Sequence, residues 1–241
     1  MIANQFNEQS IVGEIVKTFP QAGDYFKLLK IDFCCGGNRP IIEAITDRNL
    51  DTSEVLLRLE ELYQQAKSRN ELGVDWDQSS CEQIIELIIE KHHQFLKQEL
   101  PQLSPYVTKV LHVHGESHPH LSEVHDLFQQ LKAEMSEHML KEESDVFPTI
   151  IQAEKDLSSV KNEVLAEALK SLEDEHDSAG SIIRRIRDIT NDFMPPEEAC
   201  GTYQLVYKRL ENIESDLFLH VHLENNVLFP KISQQSIDSR N

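Results

Sequence analysis

Two stretches of the chain repeat one set of side chains that can ligate a metal. HMLKEESDVFP runs from His138 to Pro148 and HVHLENNVLFP from His220 to Pro230, 82 residues apart. Each places a Glu four residues after a His, and a Phe-Pro pair nine and ten residues after it. On a helix, residues four apart share a face, so His138 and Glu142 project together, as do His220 and Glu224. Two further histidines extend the pattern. His93 precedes His138 by 45 residues and His176 precedes His220 by 44. The repeated unit is therefore His…His-x3-Glu, written twice. Neutral imidazole and carboxylate are borderline-to-hard donors that suit iron or manganese, and two carboxylates can bridge two ions. Six protein ligands on two ions leave open positions for a bridging oxide, water or a small gas.

Such a set needs four helices that face one another, and the pattern supplies them. Long amphipathic runs cover about residues 81–100 (continuing past Pro101 toward Val113 with a kink), 121–147, 161–190 and 197–229. The two Phe-Pro pairs are expected to close the second and fourth. Long helices with short connections predict an antiparallel four-helix bundle. Each histidine lies on its apolar stripe: His93 with Ile89 and Leu96, His138 with Leu131, Met135 and Val146. His176 lies with Leu172, Ala179 and Ile183, and His220 with Ile213, Leu217, Leu223 and Val227. Two uncompensated carboxylates in that core would cost several kcal/mol each, against a net stability of only ~5–15 kcal/mol. A bound cation removes the penalty. A rival set, Glu90-x2-His93 and Glu173-x2-His176, also fits a Glu-x-x-His signature of di-iron bundles. It leaves His138 and His220 idle although both repeats begin with them, so Glu90 and Glu173 are read as solvated.

The rest of the 241 residues points the same way. Glycine is scarce, at 8 residues, and little of the chain alternates with period two, so the fold class is all-α. A small N-terminal helical domain is expected over 1–66, with a helix ending at Pro20, another over Ala22–Leu29 and a third starting at Asp51-Thr52-Ser53. The polar stretch 67–80 reads as a linker, with Trp76 anchoring it to the bundle, and the bundle as 81–235. A formal charge of −19 argues against nucleic acid, whose binding rests on clustered Lys and Arg. The N-terminus lacks a basic region followed by an apolar core, and no apolar run approaches the ~20 residues of a membrane span. Four cysteines without a scaffold spacing predict reduced thiols and a cytoplasmic location.

Cys34 and Cys35, followed by Gly36 and Gly37, stand apart from the helical pattern. Adjacent cysteines rarely form a relaxed disulfide, and an accessible vicinal pair suits transient thiol chemistry or passage of a soft metal. Cys81 and Cys200 are read as structural. The histidine-rich stretch HVHGESHPHLSEVH, 112–125, is read as a solvated connection, because no helical face unites its histidines around Pro119. His92 and His222 adjoin ligands but fall off their stripes.

Taken together, IDFCCGG at 31–37, HMLKEE, EHDSAG and HLENNVLFP resemble the repair-of-iron-centres family, the di-iron iron–sulfur cluster repair proteins, over nearly the whole chain. The resemblance implies a hemerythrin-like bundle with two non-haem iron ions, carboxylate- and oxo-bridged, although manganese fits the same ligands. It places terminal ligands on His93, His138, His176 and His220 and bridging carboxylates on Glu142 and Glu224, the set already selected by spacing. It also gives Glu134 and Glu175 a part in proton or iron movement, and links the domain of Cys34 and Cys35 to repair activity. The implied role is repair, under nitrosative or oxidative stress, of damaged or apo iron–sulfur proteins by supplying labile iron. Reduction of nitric oxide at the di-iron centre, or binding and sensing of oxygen or nitric oxide, is the alternative, and a homodimer is compatible with the pattern.

Overall fold

The computed structural model describes residues 5–74, 76, 78–156 and 159–238. Asp75 and Asp77 of the expected linker lie outside the described residues. The fold is all-α, with no strand among the described residues. Packing divides it into two units, one reaching Ile84 and including Phe218–Asp238, the other Ile85–Leu217.

In the first unit, four helices precede position 70: α1 (Val12–Thr18), α2 (Ala22–Leu28), α3 (Ile41–Asp47) and α4 (Thr52–Ser68). Their apolar faces bury Val12, Ile15, Phe19, Phe26, Ile41, Ile45 and Leu59. Phe6, Phe19 and Tyr63 pack as a ring cluster, Phe6 meeting Tyr63 edge-on at 5.3 Å. Asp51 caps α4 by accepting from the Glu54 amide at 2.8 Å, which explains why that helix starts where the sequence places it. After α4, the Trp76 carbonyl accepts from Lys231 Nζ at 3.3 Å, and Trp76 is buried.

The second unit is a bundle built on long helices. A short α5 (Cys81–Leu87) passes through a π turn (Ile88–His93) into α6 (Gln94–His114), which contains both Pro101 and Pro105. A five-residue turn leads to α7 (His120–Lys141). A second π turn (Glu142–Val146) then leads into α8 (Phe147–Lys155). Helix α9 (Asn162–Ile189) packs on α7, and α10 runs from Gly201 to Leu223; its end from Phe218, a third π turn (Glu224–Leu228) and α11 (Phe229–Asp238) belong to the first unit. Leu96, Leu103, Phe128, Leu131, Leu172, Ile183, Tyr203 and Leu210 form the apolar core.

The Phe-Pro pairs do not close their helices as expected. Pro148 and Pro230 instead stand in the first turn of α8 and α11, immediately after a π turn. Proline is tolerated there because the amide it lacks has little to bond in a new first turn.

Candidate metal centre

Within the second unit the π turn at Ile88–His93 delivers His93, α7 delivers His138, the π turn at Glu142–Val146 delivers Glu142, and α9 delivers His176. All four are buried. Glu142 Oε2 lies 3.3 Å from Nε2 of His93 and 3.3 Å from Nε2 of His138. His176 Nε2 lies 3.0 Å from His138 Nε2, with the two rings edge-on. Within the first unit, His220 and Glu224 are likewise buried, with Nε2 and Oε1 3.0 Å apart.

The other ring nitrogens explain this arrangement. His93 Nδ1 donates to Glu143 Oε1 at 2.7 Å, and Lys97 Nζ holds the same carboxylate at 2.6 Å. His138 Nδ1 donates to Glu175 Oε2 at 2.8 Å, and Lys141 Nζ holds Glu175 Oε1 at 2.5 Å. Burial pushes the Glu143 carboxyl up, but the bonds from Lys97 and His93 outweigh it and leave it below the usual carboxylate range. For Glu175 the His138 bond acts most strongly; with Lys141 it overcomes burial and holds the carboxyl at about 2. Both carboxylates are therefore acceptors, and each Nδ1 keeps its proton. The Nε2 atoms of His93 and His138 are then turned toward Glu142 as acceptors, that of His138 also lying against His176 Nε2.

That geometry supplies the test for a cation. Neither oxygen of the fully buried Glu142 accepts a hydrogen bond. An acceptor facing two acceptors across 3.3 Å, away from water, is repulsive without positive charge between them. His138, Glu142 and His176 present donors within 4.8 Å of one another, a spacing that can hold a metal ion. The nitrogen and oxygen donors fit iron or manganese.

Glu134 and Glu175 line one surface cleft of about 470 Å³ on this unit, together with Glu137, Asp174 and Lys141, and His138 lies at the same cleft. Glu134 is held by Gln130 at 2.8 Å and Ser178 at 3.0 Å. The rival pair is placed elsewhere: Glu90 is exposed, and Glu173 faces Lys170 at 3.8 Å. Cys34 and Cys35 lie in the first unit, in the loop between α2 and α3, as free thiols 3.9 Å apart.

Some groups escaped the sequence reading. His92 and His222 are buried rather than turned outward. His92 Nδ1 meets Asp216 at 2.8 Å, and His222, packed on Phe33, is pushed by burial down to about 4. The histidine-rich connection is only partly solvated: His112 is exposed, while His114, His118 and His120 are half-buried against Tyr203, Tyr207 and Cys200. His120 Nε2 meets Tyr207 at 2.9 Å, His118 stacks edge-on to Tyr203, and His114 Nε2 meets the exposed Cys200 Sγ at 3.2 Å. Glu143 was missed because the second repeat has Asn225 in its place. The only signal for it was its position next to Glu142.

Fold and donor set define a class, a helical bundle whose buried donors could hold cations. Residues 84–232 match the family model Hemerythrin HHE cation binding domain, and residues 8–63 match Domain of Unknown function (DUF542). The chain is 37% identical to the iron-sulfur cluster repair protein ScdA of Staphylococcus haemolyticus, covering 97% of this chain and 100% of that protein. It is 34% identical to the iron-sulfur cluster repair protein YtfE of Pectobacterium atrosepticum, covering 94% and 97%. To a probable iron-sulfur cluster repair protein of Haemophilus influenzae it is 33% identical, covering 93% and 96%. The chain belongs to the iron–sulfur cluster repair protein family, and its buried His/Glu groups have a spacing that could hold a metal ion. Among the described residues no helix is long and apolar enough to cross a membrane.

Proposed function

We propose that this chain is a non-haem di-iron protein that helps restore damaged iron–sulfur clusters, acting on damaged or apo iron–sulfur proteins in the cytoplasm. His93, His138, His176 and His220 would be terminal ligands, and Glu142 and Glu224 would bridge the two ions. The observation that carries the reading is Glu142, a fully buried carboxylate without a hydrogen bond and flanked by two imidazole nitrogens. The division used is a small domain over 1–66, a linker over 67–80 and the metal-binding bundle over 81–235.

Iron held by these six residues would supply labile ferrous iron and open positions for nitric oxide or oxygen. The chain's own part is to hold the donors ready. Glu143 and Glu175 fix the Nδ1 protons of His93 and His138, and the two lysines fix those carboxylates. Glu134, Glu137, Asp174 and Glu175 give the cleft near His138 an excess of negative charge, which draws a cation in.

Metal analysis of anaerobically purified protein tests this reading directly. About two iron ions per chain are expected, by analogy with carboxylate-bridged bundles. Glu142→Leu is expected to lose most of that iron and, with it, iron transfer to an apo-cluster protein. Full iron retention in Glu142→Leu would overturn the bridging role, and manganese in place of iron would overturn the assignment of the metal.

A further inference from the structure

The loop between α2 and α3 gathers a second set of donors within the first unit. Ligand atoms of Asp32, Cys34 and Cys35 all lie within 4.8 Å of one another. Cys34 Sγ is 3.3 Å from Asp32 Oδ1 and 3.9 Å from Cys35 Sγ. Two thiolates on one tetrahedral divalent ion, with bonds of ~2.3 Å, stand ~3.8 Å apart, so the sulfurs already have that separation. The turn is preformed. Asp32 Oδ1 accepts from the backbone amides of both Cys34 and Cys35 at 3.1 Å. Cys34 is buried while Asp32 and Cys35 are only half-buried, which leaves the group open on one side.

The loop is also fastened from behind. Asn226, in the π turn that begins with Glu224, donates its side-chain amide to the carbonyls of Cys34 at 2.9 Å and Phe33 at 3.4 Å. Gly13 and Gly37 make room for it. A Cβ at either would lie 2.5 or 2.9 Å from Asn226 Oδ1, closer than a real Cβ approaches.

We infer that Asp32, Cys34 and Cys35 form a separate metal station, a two-sulfur, one-oxygen site that takes a single soft or borderline divalent cation. Resting on the repair reading above, the station holds labile iron before it passes to a client. Binding releases the two thiol protons to solvent and moves no electrons. The Asp32 carboxylate, 3.3 Å from Cys34 Sγ, adds a negative charge that favours a divalent cation beside the two sulfurs. Three donors on a tetrahedral ion leave one position for a thiolate of an apo-cluster protein, so transfer proceeds by ligand exchange.

Cobalt(II) is the probe. The full chain, loaded with bundle iron and kept reduced by a phosphine, is titrated anaerobically with Co2+. Sulfur-to-cobalt charge-transfer absorption is expected to saturate at one equivalent, whereas the nitrogen and oxygen donors of the bundle give no such band. Cys35→Ser is expected to abolish the band, and Asp32→Asn to weaken cobalt binding on the order of tenfold. Circular dichroism and bundle iron content should stay unchanged in both. A native chain without the band, a band that survives Cys35→Ser, or one lost instead in Cys200→Ser overturns the station and leaves the bundle reading standing. A native chain that holds no bundle iron overturns iron as the cargo, whatever cobalt does.

Discussion

His93 and His138 are each clamped from behind by a carboxylate, and each carboxylate is clamped by a lysine. The chain thus builds the same His–Glu–Lys relay twice from different sequence positions: Glu143 follows the proposed ligand Glu142, while Glu175 precedes the proposed ligand His176. A ligand histidine whose Nδ1 proton is fixed presents Nε2 in one direction and as a stronger donor. Glu143→Gln keeps the shape but removes the charge, so metal affinity measured by chelator competition is expected to fall ~10–100-fold. Lys97→Met, at an exposed lysine, should cost much less. An unchanged affinity in Glu143→Gln would show that His93 is oriented by packing against Phe147 alone. That the six candidate donors are buried was legible in the sequence, because four-residue spacing on a helix is fixed geometry. The relay was not, since its carboxylates come from unrelated registers and only one repeat carries Glu143.

Among the described residues each of the three π turns carries an expected ligand: His93 in the first, Glu142 in the second, Glu224 in the third. A π turn inserts one extra residue into the helical ladder, which shifts the phase of the side chains and opens backbone bonds locally, and such turns gather at functional sites. Helical periodicity placed the starts of the long helices, and both ends of α9, to within a few residues, but a one-residue insertion leaves no periodic trace, so the turns were invisible and the Phe-Pro pairs looked like stops. Helices α9 and α10 also share an ion pair within the second unit. Arg187 Nε donates to the buried Glu214 Oε1 at 2.5 Å, and Arg187 also reaches the half-exposed Asp192 at 2.9 Å. Glu214→Ala leaves the guanidinium with only that outer partner, and denaturant unfolding is expected to show a loss of up to about 3–5 kcal/mol. The paired change Glu214→Leu with Arg187→Met should recover most of the loss, because the buried charge is then gone on both sides. If the double variant is no better than the single one, the pair serves packing geometry rather than charge compensation.

At the scale of the whole chain, the net charge of −19 and the buried carboxylates lead us to expect that a bound cation stabilises the fold. A metal that binds the native state and not the unfolded chain stabilises by RT ln(1 + [L]/Kd), about 2.7 kcal/mol at a hundred times Kd. For a chain of this length each kcal/mol moves Tm by about 2–4 °C, so loading with ferrous iron should raise Tm by roughly 5–10 °C, and a chelator should reverse the rise. Glu142→Leu separates this linkage from ordinary core packing. Without metal, the native chain must bury a carboxylate without a hydrogen bond, whereas the variant buries an alkyl group of similar size. The metal-free variant is therefore expected to melt above the metal-free native chain. With iron the order reverses, because the native chain gains the binding energy and the variant gains little of it. Thermal melts of both proteins, with and without iron, give the four values that decide the matter. Two curves that shift in parallel would mean that Glu142 is stabilised by the protein alone, and the case for a cation at its carboxylate would fall.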